Sequence, residues 1–326
     1  MGQIKNSLIV TVKNDADALR LLLKSIASQE VTPDEVVLTI APSTQTEDTT
    51  LTVATSWKPR CIAVQIIELE PEATRSTGRN QGVAAAQGSL LLFTDAGCTL
   101  SPTWVKNILH AFSLPETKLV SGYSQSTNDT PQEEVQGAFT LVPRNAIERF
   151  PLPATRNMAV RREVFEKVGL FRDELNYAED FEWARRARSL GMRSTFVPDA
   201  TVRWRPRKSW SAFGQMIFSL TAGDMQARTW RLGHFTMWMR YIFIIFTIWT
   251  FSKITSSLTL GLLSGAVAWT LYIGLKMSRF RFSNSAAYLW VPLAQALADI
   301  AVLTGTLCGL YRLWKKQKAS WKAGHA

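Results

Sequence analysis

Gly88-Ser-Leu-Leu-Leu-Phe-Thr-Asp95-Ala-Gly-Cys98 reads as a short apolar strand that delivers one carboxylate at its C-terminal end. An uninterrupted apolar run bounded by small residues is the pattern of a strand buried on both faces of a sheet. In open α/β sheets, ligands bind in the crevice beyond such strand ends. Asp95 is therefore a candidate ligand for a divalent cation, Mg²⁺ or Mn²⁺, carrying a diphosphate, and Ala96 and Gly97 leave room for it.

Working outward, Leu8–Val12 and Val36–Ile40 read as further buried strands, and Ile62–Glu68 as another. Between them, Asn14-Asp15 is placed to cap a helix whose Leu19, Leu22, Leu23 and Ile26 share one face. A second helix ends near Trp57, and Ser76–Gln87 reads as an Ala-rich helix closed by Gly88. Ser101-Pro102 suits the start of a helix running to Phe112. Over roughly the first 120 residues this alternation predicts an α/β domain with a parallel, doubly wound sheet. Beyond Lys118 the pattern predicts a strand at Leu119–Tyr123 and a mobile polar loop from Gln125 to Glu134. An irregular stretch at Pro143–Pro153 follows, then helices at Arg162–Val168 and Glu179–Leu190, and a last strand at Ser194–Val197.

The net charge of +11 is unevenly placed. From Arg203 onward, 16 Lys/Arg face only Asp224 and Asp299, whereas residues 1–202 sum to −3. The excess cations lie beside apolar segments, which favours anionic lipid headgroups over nucleic acid as the counter-charge. Cys61, Cys98 and Cys308 have no metal-ligand or disulfide spacing, so a reduced, cytosolic setting is expected. Gly2 lacks the Ser or Thr that a myristoylation site wants four residues on. Residues 254–275 form an uncharged run of 22, long enough to span a bilayer. Tyr241–Ser252 is shorter and spans only if Arg240 and Lys253 snorkel. The basic loop Lys276–Arg281 is expected on the cytosolic side. Hence residues 1–232 form the soluble domain and 233–326 a membrane domain, with spans near 236–252 and 254–275. The stretch 286–313 is either a third span or an interfacial helix.

Four groups of residues carry a resemblance: Val10-Thr-Val-Lys-Asn14; Gly78-Arg79-Asn80 with Gly82; Phe93-Thr-Asp95-Ala-Gly97; and Gly169-Leu-Phe-Arg with Glu179-Asp180, Arg186 and Gly191. In this order the chain resembles, over residues 6–230, the family 2 glycosyltransferases of GT-A (Rossmann-like) fold, which are inverting enzymes acting on nucleotide-diphospho-sugars. The apolar C-terminal part resembles the membrane anchors of bacterial members that build surface polysaccharides. The resemblance implies that Thr11, Arg79, Asn80 and Asp95 contact the nucleotide. It implies that Asp180 takes the acceptor hydroxyl's proton while Glu179 orients its neighbours, and that Arg205, Arg207 and Gln215 position diphosphate and acceptor. The chain departs from the family twice. Asp95-Ala96-Gly97 stands where Asp-x-Asp is usual. Ile40-Ala41-Pro42-Ser43-Thr44-Gln45 lacks the base-binding Asp, and Asp48 lies farther along.

The expected function is sugar transfer to a lipid-linked or polysaccharide acceptor at the cytosolic face of the cell membrane, with oligomeric state left open. A non-catalytic membrane-tethered subunit is the alternative. A nucleotidyltransferase fits less well, because Thr11-Val-Lys-Asn-Asp15 has no glycine to cradle phosphates.

Overall fold

A computed structural model describes residues 5–43 and 48–323; Gly2, Thr44 and Gln45 lie outside the described residues. Tertiary contacts divide the chain into two units, Met1–Thr127 with Leu141–Arg205, and Asn128–Thr140 with Pro206–Ala326. The expected boundary at 232 falls inside the second unit.

In the first unit, β1 (Asn6–Lys13) leads to α1 (Ala16–Ala27), whose first turn is capped by Asp15, accepting from the Ala18 N–H. The face carrying Leu19, Leu22, Leu23 and Ile26 is buried, as its period requires. Next come β2 (Glu35–Ala41), α2 (Thr50–Ser56), β3 (Ala63–Glu68), α3 (Arg75–Ala85) and β4 (Leu90–Asp95). They are followed by β5 (Cys98–Leu100), α4 (Trp104–Ala111) and β6 (Leu119–Ser126). After α5 (Pro131–Thr140), which belongs to the second unit, the first resumes with α6 (Arg144–Arg149) and β7 (Asn157–Arg161). It closes with α7 (Arg162–Val168), α8 (Glu179–Ser189) and β8 (Ser194–Trp204).

The parallel pairing expected of the first half of the domain holds for β1 to β4, and the later strands make the sheet mixed. Its eight strands run β3-β2-β1-β4-β7-β6-β8-β5. The first four are parallel, but β7 pairs antiparallel to both β4 and β6, and β5 antiparallel to β8. Short β7 went unread because its register comes from distant neighbours. Gly88 does not cap α3. A Cβ there would lie 2.8 Å from the Ser7 amide nitrogen, so the glycine is needed for close backbone approach. Arg162 instead holds carbonyls in and just beyond the last turn of α3: its Nη1 donates to Val83 O at 3.0 Å, Nη2 to Ala86 O and Nε to Gly88 O at 3.0 Å. Ser101 does not cap α4 either; its carbonyl accepts from Trp104, and the helix starts there. The segment Gln125–Glu134 is no loop throughout, since β6 continues to Ser126 and α5 begins at Pro131. The stretch 143–153 contains α6, and β8 runs on to Trp204.

Beneath the sheet's carboxyl edge, Phe93, Phe165, Phe171 and Trp183 form a buried aromatic cluster, with ring centroids 4.9–6.1 Å apart. It locks α7, the segment after it and α8 onto β4, and so fixes the start of α8.

The second unit contains α5, α9 (Trp210–Gln226), α10 (Leu232–Thr255), α11 (Leu258–Met277) and α12 (Val291–Ala323). Among the described residues three helices, Leu232–Thr255, Leu258–Met277 and Ser285–Lys318, are long and apolar enough to cross a membrane. α10 exceeds its apolar run because Arg240, which interrupts the pattern, is ion-paired with Asp299 of α12; Tyr241 and Gln295 also donate to that carboxylate. Small residues let the helices approach. A Cβ on Gly265 would fall 2.5 Å from Ile248 Cγ1, and one on Gly309 2.7 Å from the Ala222 carbonyl.

Candidate active site

Two strands and two helices bring the acidic candidates together. Parallel pairing sets Thr11 of β1 opposite Asp95 of β4 at the sheet's carboxyl edge. Thr11 Oγ1 accepts from Thr39 Oγ1 at 2.9 Å. Helix α3 lies flat on β1 because Gly78 and Gly82 carry no side chain. A Cβ at Gly78 would lie 2.5 Å from Thr11 Cγ2, and one at Gly82 2.4 Å from Ile9 Cγ2. That close approach lets Arg79 reach Asp95.

Arg79 is the hub. Its Nη2 donates to Asp95 Oδ1 at 3.0 Å, and its Nη1 to Glu179 Oε1. Arg79 and Glu179 are buried, whereas the Asp95 side chain keeps 39% of its surface exposed, so it is the carboxylate a ligand can reach. Burial opposes the charge on Arg79, but Glu179, Asp95 and Asp180 outweigh it and raise its pKa. Burial would raise Asp95, yet Arg79, Arg156 and Arg75 hold it below the ordinary carboxylate value. Burial, with Asp180 adding repulsion, pushes Glu179 up against the pull of Arg79.

Ala178, in the left-handed region at φ 63°, turns the chain sharply so that α8 begins with Glu179 and Asp180. A non-glycine residue there costs about 1–2 kcal/mol. Asp180 Oδ2 accepts from the Thr155 amide and hydroxyl at 3.3 and 3.4 Å, and its Oδ1 from the Phe181 amide at 2.7 Å. The two Thr155 contacts are long, leaving Oδ2 loosely held.

Asn80 has a positioning geometry. Its amide donates to Phe171 O and Asp173 Oδ1 and accepts from the Phe171 N–H. Ser76 and Thr74 donate to Leu175 O and Asp173 O. Helix α3 thereby grips the segment that leads into Glu179. Arg205 is exposed just past β8, its N–H donating to Gly97 O at 3.0 Å. Arg207 and Gln215 belong to the second unit. There the Gln136 amide bonds both backbone groups of Arg207, and Gln215 on α9 is exposed.

Sequence reasoning missed Arg156. Thr94 pairs with Asn157 across β4 and β7, which sets Arg156 beside Asp95, and the Thr94 hydroxyl donates to Arg156 O at 3.0 Å. Its guanidinium lies 5.0 Å from the Trp204 ring centroid. Arg75, at the start of α3, lies similarly over Tyr177 at 4.5 Å. Asp48 folds back to the end of β2, where it accepts from the Ser43 and Thr50 amides at 3.2 and 2.9 Å.

Among the described residues no group of three or more His, Cys, Asp or Glu could enclose a metal ion. Asp95 has an oxygen not used by Arg79, and the buried Oε2 of Glu179 has no hydrogen-bond partner. This donor set fits a cation shared with phosphate oxygens, not one held by protein alone.

The chain is 23% identical to the glycosyltransferase AglE of Haloferax volcanii over 235 residues, 71% of this chain and 76% of AglE. Its fold is similar to that of the mannosyltransferase PcManGT from Pyrobaculum calidifontis, solved with GDP-Man and Mn²⁺. The TM-score is 0.59 at 16% identity, covering 94% of this chain and 87% of the other. It is also similar to residues 1–349 of S. aureus TarS, solved with UDP-GlcNAc, with TM-score 0.53 at 17% identity over 95% and 92% of the two chains. The mixed sheet is thus that of the GT-A fold. Residues 5–217 match the model of Glycosyltransferase like family 2, and with that match spanning well over half its length the chain belongs to this family.

Proposed function

We propose that the chain is a membrane-bound inverting glycosyltransferase. It moves a sugar from a nucleotide-diphospho-sugar to a lipid-linked or polysaccharide acceptor at the cytosolic membrane face. The observation that carries this reading is the accessible Asp95 carboxylate, tied through Arg79 to Glu179 and adjoining Asp180, at the carboxyl edge of the parallel strands. Nucleotide-sugars in the solved structures of similar fold support the donor class. The three apolar helices and the basic 276–281 loop support the location.

In this reading Asp180 accepts the proton of the acceptor hydroxyl. The freed oxygen attacks the anomeric carbon, and the carbon–oxygen bond to the β-phosphate breaks with inversion. Thr155 orients the Asp180 carboxylate, and Arg79 holds Asp95 and Glu179 in place. A divalent cation bound between the diphosphate and Asp95 would neutralise charge on the leaving group.

Asp180→Asn tests the reading, since it keeps size and removes proton acceptance. General-base contributions are about 10²–10⁴-fold, so turnover should fall by that factor while donor affinity stays within a few-fold. Near-normal turnover by folded variant would mean that Asp180 serves only the start of α8.

A further inference from the structure

Three arginines surround Asp95, and only Arg79 is ion-paired with carboxylates among the described residues. Arg156 and Arg75 lie on aromatic rings instead, at 5.0 Å over Trp204 and 4.5 Å over Tyr177. A guanidinium on a ring is fixed in orientation while its edge stays available for bidentate contact with phosphate. Arg156 Nε is buried without an acceptor, and Arg75 stands in the first turn of α3, where the helix dipole favours an anion. The two carboxylates in contact with Arg79 balance that residue, whereas Arg75 and Arg156 beside Asp95 carry positive charge without an ion pair among the described residues. The second acid of the usual Asp-x-Asp is missing, and space does not forbid it, because a Cβ on Gly97 would meet nothing within 4 Å.

We infer that Arg156 and Arg75 bind the diphosphate of the nucleotide donor directly, so that nucleoside diphosphate binding survives removal of divalent cations. This rests on the donor class proposed above. The test is calorimetric titration of the detergent-solubilised full chain with UDP and with GDP, in EDTA and in Mn²⁺. At least one nucleotide should bind in EDTA within about tenfold of its Mn²⁺ affinity, as fixed charge predicts. Arg156→Gln and Arg75→Gln should each weaken EDTA binding about tenfold or more, while Arg156→Lys, which keeps the charge, retains part of it. Gly97→Asp should make binding more Mn²⁺-dependent. Binding in Mn²⁺ alone, or an unchanged affinity of folded Arg156→Gln, overturns the inference and leaves the donor class standing. No binding of either nucleotide in either condition overturns both. The wild-type titration decides the matter even where a variant fails to fold.

Discussion

Gly78→Ala separates helix propensity from packing, because the two predict opposite signs. By propensity alone, alanine in the interior of α3 should stabilise by about 1 kcal/mol. The structure places the new Cβ 2.5 Å from Thr11 Cγ2 and 3.2 Å from both Leu69 Cδ1 and Thr11 Oγ1. Ordinary contact begins near 3.4 Å, so about 0.9 Å must be found. Thr11 cannot rotate away without breaking its 2.9 Å bond to Thr39, and α3 has to lift from β1. Overpacking of this kind costs about 1–3 kcal/mol. Set against the propensity gain of about 1 kcal/mol, the net change is a loss of up to about 2 kcal/mol, or up to about 8 °C in melting temperature for a unit of this size. Arg79 follows Gly78 directly, so its 3.0 Å contact with Asp95 moves too. Misplacement by about 1 Å costs as much as 10²-fold in rate. The assay is thermal unfolding of the full chain in detergent beside sugar-transfer rate, with Gly214→Ala in α9 as control. A Cβ at Gly214 meets nothing within 4 Å, so that substitution should stabilise by about 0.5–1 kcal/mol. A Gly78→Ala protein as stable and active as the wild type would refute the packing argument.

Arg162→Ala should destabilise by about 1–3 kcal/mol, since three carbonyls in and just beyond the last turn of α3 lose a charged donor and are only partly resolvated; chemical denaturation reads this, and Arg162→Lys should restore only part. Cys98 is pushed up to about 12, by burial first and then by the charge of Asp95, so its thiol stays protonated at neutral pH. Exposed Cys61 should therefore be alkylated in the native protein and Cys98 only after unfolding, as peptide mass mapping would show; its alkylation in the folded chain at pH 8 would contradict the burial. Gly122→Ala should block folding of the first unit, because the added Cβ would lie 2.2 Å from Asn157 Oδ1 and 2.5 Å from the Ala200 carbonyl. Expression yield and protease resistance would report it.

What was legible in the sequence was local. Strands β1, β2 and β4 announce themselves as apolar runs, and α1 by a capping Asp and a buried face of period 3.6. The bounds of α7 are likewise those expected. What failed depended on partners far along the chain. Gly88 looks like a helix stop, but its role is set by the backbone of Ser7, and Arg162 holds its carbonyl from 74 residues away. Arg240 looks like the end of a membrane segment until Asp299 is found to pair with it. β7 is five residues with no strong alternation, and only its ladders with β4 and β6 define it.

The candidate site divides along the same line. Asp95 stands at the C-terminal end of a strand and Asp180 in the first turn of a helix, and each could be picked out from its own local pattern. Arg79 could be singled out with them, but Arg156 could not, because only the pairing of β4 with β7 brings it beside Asp95. The assembly is also self-limiting. A buried arginine persists only beside carboxylates that offset its desolvation, and the strongest pull opposing the upward shift that burial gives Glu179 comes from Arg79. Truncating Arg79 would therefore strand a buried carboxylate and raise the charge-neutral form of Glu179, whereas truncating Arg156 leaves no acid unpaired. Loss of fold on the first substitution and loss of diphosphate affinity on the second are consequences of the same charge arrangement.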